Sequence, residues 1–141
     1  MRNHLWMSIS LCLAAGIVLV GGCGDDEAEN AGSVCTTADD CYPDIDRADI
    51  KGAVACMDRV PDGYCTHLCT ADADCCAVDG ECITGFTQVC APFESTGQNY
   101  CFLSCEGVDD ETTFCQENAG SSFTCRSTGG GSTNRKICVP Q

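Results

Sequence analysis

From Ile9 to Val20 the chain is almost wholly apolar, and from Gly24 to Ser33 it carries no large apolar side chain. Beyond that point apolar residues come in short runs, punctuated by Gly, Asp and Asn. Such a pattern predicts short strands and tight turns. "SSFTCRS" (121 to 127) and "RKICVP" (135 to 140), on either side of "TGGGSTN", predict a terminal hairpin with its tip at Gly129 to Gly131. "TTADD" (36 to 40), "TADAD" (70 to 74) and "VDD" (108 to 110) predict turns in which an Asp carboxylate caps nearby backbone amides. "DIDRADIKGAVACM" (44 to 57) has a mild helical period that would allow one helical turn or two. No stretch of the mature part predicts a helix of the length that globular proteins usually pack.

The apolar run opens the chain in the layout of a secretory signal: Arg2 supplies positive charge, the apolar segment follows, and small Gly21 and Gly22 come next. At roughly a dozen residues it is too short to span a bilayer, which takes about 20. Residues 1–22 are therefore set aside as a signal peptide. The remaining 119 residues hold all 21 acidic residues against six basic ones, a formal charge of −15. A surface of that sign repels nucleic acid and anionic headgroups, so neither is an expected partner.

Leu, Ile, Val and Phe make up only 18 of those 119 residues. With this charge, that would ordinarily leave a chain disordered. Cysteine reverses the expectation, because the mature part holds 15 of them. Each bridge typically stabilises a fold by about 2–4 kcal/mol, which replaces a core too thin to offset chain entropy. Bridges persist in oxidising compartments, in agreement with the signal. The predicted fold class is a small disulfide-rich one, with short strands, tight turns and hairpins and little helix outside the signal peptide.

Fifteen is an odd number, and Cys23 is the one to set aside. "LVGGC" (19 to 23) places an aliphatic Val20 three residues before the cysteine and small Gly21 and Gly22 between. The motif resembles the lipobox of bacterial lipoproteins. Cys12, inside the apolar run and preceded by Ser10 and Leu11, does not fit it. The resemblance implies cleavage before Cys23, a diacylglycerol on its sulfur, usually an acyl chain on the new amino group, and so a membrane as partner. Several acyl chains meet the requirement that stable anchoring takes more than one hydrophobic signal. "GDDEAENAGS" (24 to 33) then reads as the acidic, flexible part of a tether over residues 23–34. Gly24 stands where inner-membrane retention in Gram-negative sorting calls for Asp, which favours the outer membrane.

Setting Cys23 aside leaves Cys35, Cys41, Cys56, Cys65, Cys69, Cys75, Cys76, Cys82, Cys90, Cys101, Cys105, Cys115, Cys125 and Cys138 as candidates for bridges. "CTTADDC" (35 to 41) is repeated almost residue for residue by "CTADADC" (69 to 75), and "GYCTHLC" (63 to 69) is echoed by "NYCFLSC" (99 to 105). The repeat divides residues 35–138 into units 35–65, 69–101 and 105–138, with four framework cysteines each. Cys76 and Cys82 are extra to the middle unit. A bridge between the adjacent Cys75 and Cys76 would be strained, so Cys76 is expected to pair with Cys82. The framework bridges are expected to stay within units, with the pairing inside each unit left open. The acid-then-cysteine openings resemble those of whey-acidic-protein and Dickkopf-type modules, which implies an interaction module and carries no site residues over.

Chemistry is sparse. The mature chain has one histidine, His67, pinned between Cys65 and Cys69. It reads as a spacer or a hydrogen-bonded surface residue rather than a catalytic base. No carboxylate pair has enough apolar surroundings to hold one member neutral. An enzyme is therefore not expected. Cys65, His67 and Cys69 lack the usual zinc-ligand gap, and bridges compete for the sulfurs. Asp72, Asp74, Asp79 and Glu81 offer hard oxygen ligands, which makes calcium the one metal worth testing, although Cys76 interrupts the EF-hand pattern. No other cofactor is expected. The sequence thus points to an anchored module with an unidentified protein or carbohydrate partner; the rival is an unanchored, secreted inhibitor or ligand.

Overall fold

The computed structural model describes residues 31–82, 85–93, 97–129 and 134–141. Residues 1–22, expected to be a signal peptide, Cys23, residues 24–30 of the expected tether, and Gly130 and Gly131 at the expected hairpin tip lie outside the described residues. Six short strands form three separate antiparallel hairpins: β1 (Val54–Cys56) with β2 (Cys65–His67), β3 (Gln88–Pro92) with β4 (Asn99–Leu103), and β5 (Phe123–Ser127) with β6 (Lys136–Pro140). Among the described residues one helix, α1 (Glu111–Asn118), completes the framework, together with two single turns of 3-10 helix at Ala38–Asp40 and Asp72–Asp74. The fold is the small disulfide-rich kind that the cysteine count calls for.

One plan serves all three units. The third and fourth framework cysteines face each other across each hairpin: Cys56 and Cys65, Cys90 and Cys101, Cys125 and Cys138. They do not bridge each other. The first cysteine takes the third (Cys35–Cys56, Cys69–Cys90, Cys105–Cys125) and the second takes the fourth (Cys41–Cys65, Cys75–Cys101, Cys115–Cys138). Two adjacent bridges thus clamp an acidic turn onto a hairpin three times over. Cys76 pairs with Cys82, and all seven bridges close within the unit boundaries.

Local chemistry explains the clamped turns. In the first unit the Asp40 carboxylate accepts from the Thr36 and Thr37 amides at 2.7 and 2.8 Å. Thirty-four positions on, Asp74 accepts from the Thr70 and Ala71 amides at 2.7 and 3.0 Å. The third unit spaces its first two cysteines ten positions apart instead of six, and the longer segment winds into α1. There the Asp110 carboxylate accepts from the Thr113 amide as an N-cap, so the third acidic "turn" starts a helix.

Two local expectations are corrected. Residues 44–53 form turns and the chain then enters β1, so the mild period over 44–57 builds no helix. Ile45 and Ile50 still face the apolar interior of the first unit, but Cys56 must lie in a strand opposite Cys65, and that pairing overrides a weak period. Gly52 (φ +145°) lets the Leu68 carbonyl pass where a Cβ would sit 1.9 Å from its oxygen. The second correction concerns the tether. Its last residues are bound to the domain: the Ala31 amide donates to the Glu81 carbonyl, Gly32 donates to Cys65, and Ser33 accepts from Cys65.

The units share a core rather than standing in line. Tyr64 of the first unit stacks on Phe102 at 5.9 Å between ring centroids and meets Phe123 of the third unit at 5.3 Å. Phe93 packs on Phe102 from the second unit. Val89, Leu103 and Ile137 close the same cluster. At each junction the strand leaving one unit also pairs with the next hairpin, Leu68 with Tyr100 and Ser104 with Ile137.

Candidate functional site

His67 lies on β2 and is fully buried, which corrects the expectation of a surface residue. Its Nε2 stands 2.7 Å from Oε1 of the equally buried Glu81, and its Nδ1 stands 2.9 Å from the Leu68 carbonyl oxygen. Both neighbours are acceptors, an arrangement that favours the doubly protonated ring. Burial opposes that charge, but the hydrogen bonds to Glu81 and Leu68 and the negative charge of Glu81 outweigh it and raise the His67 pKa. Burial likewise disfavours the Glu81 carboxylate, yet His67 and the Val78 and Cys76 amides lower its pKa. The ion pair ties the first unit to the 76–82 loop, which the Cys76–Cys82 bridge closes. With its imidazole buried and held on both sides, His67 crosslinks two units.

Three of the four carboxylates considered for calcium serve separate structural tasks. Glu81 belongs to His67, and Asp74 caps its own turn. Asp72 accepts from the Cys90 amide and pairs with Arg135, which also pairs with Glu106 of the third unit. Asp79 is exposed on the loop. Among the described residues, the groups whose ligand atoms come within 4.8 Å of one another are Cys35, Cys41 and Cys65, Cys69, Cys75 and Cys101, and Cys105, Cys115 and Cys138. Every member is in a disulfide, so none offers a thiolate to a metal.

An open groove of about 470 Å³ lies where the three units meet. Arg59 comes from the first unit, Pro92 and Phe93 from the second, and Arg126, Ile137 and Val139 from the third. Arg126 and Ile137 are directly opposed in the β5–β6 ladder, and Val139 is two positions beyond Ile137, so the three share one face of that hairpin. Cys125 and Cys138 occupy the other face and hold it to the turn and helix of the unit. Sequence reading missed this group, because Arg59 and Arg126 stand 67 positions apart in no motif. The only available signal was that both are among six cations in an acidic chain.

No helix among the described residues is long and apolar enough to cross a membrane. Seven disulfides mark a chain that matures in an oxidising, extracytoplasmic setting. The chain was compared with protein families, with curated proteins and with solved structures, and none of the three comparisons gave a match.

Proposed function

We propose that this protein is a lipid-anchored, extracytoplasmic binding or structural module of a bacterial cell envelope, held at the membrane through Cys23. The observation that carries the reading is the cysteine balance. Fourteen mature cysteines are consumed by seven internal bridges, and the fifteenth is the one at the lipobox position. A rigid domain with no exposed thiol of its own, on an acidic lead from a lipidated cysteine, suits display to a protein or carbohydrate partner. Gly24 favours the outer membrane. A binding role is preferred to catalysis because the one mature histidine is spent on a buried crosslink and the acidic side chains on turns, caps and pairs.

Metabolic labelling with an alkyne fatty acid tests the anchor. The wild-type chain is expected to carry the label, and Cys23→Ser to lose it and accumulate as the unprocessed precursor. Label that persists in Cys23→Ser would overturn the reading.

A further inference from the structure

The distribution of positive charge is uneven in a way that points to a ligand. Of the six cations beyond residue 22, Arg47 pairs with Asp39, Arg135 with Asp72 and Glu106, and Lys136 with Glu111, while Lys51 is exposed, makes no ion pair among the described residues and does not line the groove. Arg59 and Arg126 both line the groove at the meeting of the three units. Arg59 has a further partner within the chain. Arg126 is exposed and makes no ion pair among the described residues.

We propose that this groove is a binding site for a single carboxylate carried on an apolar body. A guanidinium presents a planar fork of donors that matches a carboxylate, so Arg126 is the anchor. Val139, Pro92 and Phe93 line the groove beside the arginines, over the buried Ile137, and offer an apolar surface to an alkyl or aromatic group. Thr128 and Gln141 add polar rims, and Gln141 is held in place by its amide on the Ser122 carbonyl. A volume of about 470 Å³ is that of a small-molecule site. The mature charge of −15 works against any polyanion, so the ligand that fits both the local cations and the global field bears one negative charge. Two sources supply this chemistry: the C-terminal carboxylate of a peptide and a free organic acid. The proposal stands independently of lipidation at Cys23.

The test is calorimetric titration of the full chain in non-ionic micelles with three probes: N-acetyl-phenylalanine, its neutral amide, and a pentapeptide ending in phenylalanine with a free carboxylate. The acids are expected to bind and the amide not to. Arg126→Gln is expected to weaken binding by about tenfold or more, the loss of a hydrogen bond to a charged group. Arg126→Lys, which keeps the charge without the fork, should fall between, and Arg47→Gln, outside the groove, should leave affinity unchanged. Tighter binding of the pentapeptide than of the small acid identifies a peptide terminus as the source; equal affinity identifies a free acid. Equal binding of acid and amide, no binding of either acid, or an Arg126→Gln protein that binds like wild type would each overturn the proposal.

Discussion

At the scale of residues, the strongest electrostatic commitment is His67 with Glu81. Removing one partner of a buried pair leaves the other charge uncompensated, so Glu81→Gln is expected to destabilise the fold by about 3 kcal/mol or more near pH 6. The pH dependence has a definite sign. The His67 pKa is raised above its ordinary 6.5, so its contribution is complete below that value and is lost as pH rises through the raised, folded-state pKa. The Glu81 pKa is lowered below 4.5, so its contribution is complete above that value and is lost as pH falls through the lowered one. The gap in melting temperature between wild type and Glu81→Gln should therefore be widest from pH 4.5 to 6.5 and shrink on the alkaline side. A gap that stays constant up to pH 9 would show that His67 is neutral. In the sequence this pair was only half visible: His67 stood out as the one histidine beyond residue 22, but Glu81, 14 positions away, read as a calcium candidate because its partner is supplied by folding.

Among the elements, the bridges divide into two kinds. The six framework bridges span 20 to 26 positions, whereas Cys76–Cys82 spans six. Loop-closure entropy makes a bridge of the first kind worth about 3.5 kcal/mol and the short one about 2 kcal/mol. Replacing Cys76 and Cys82 together by Ser should thus cost less in denaturant unfolding than replacing Cys41 and Cys65 together. A larger loss for the short bridge would show that it acts mainly by positioning Glu81, whose carboxylate accepts from the Cys76 amide at 2.9 Å. Element boundaries were legible where a covalent or capping signal is local: the Asp40 and Asp74 turns and the terminal hairpin follow from short stretches of sequence. The helix α1 was not, because Phe114 and Cys115 are almost the only apolar residues in it and give no readable period.

For the whole molecule, the decisive residue is Tyr64, whose ring touches residues of the other two units. Truncation of a buried aromatic typically costs about 3–5 kcal/mol, and Tyr64→Ala should cost of that order. Hydrogen exchange should then show faster opening in all three hairpins. Loss of protection confined to β1 and β2 would mean that the units behave as separate beads. Sequence alone determined that this chain must be stapled and that its staples repeat in three units. Those conclusions rest on counts and spacings, which survive without coordinates, because a disulfide framework is written in the positions of its cysteines. Only tertiary structure decided that each unit joins its first cysteine to the third and its second to the fourth, that His67 is buried against Glu81, and that two distant arginines share a groove. Each depends on which surfaces meet when three hairpins close around one aromatic cluster, and that is set by burial of side chains too scattered along the chain to form a local pattern.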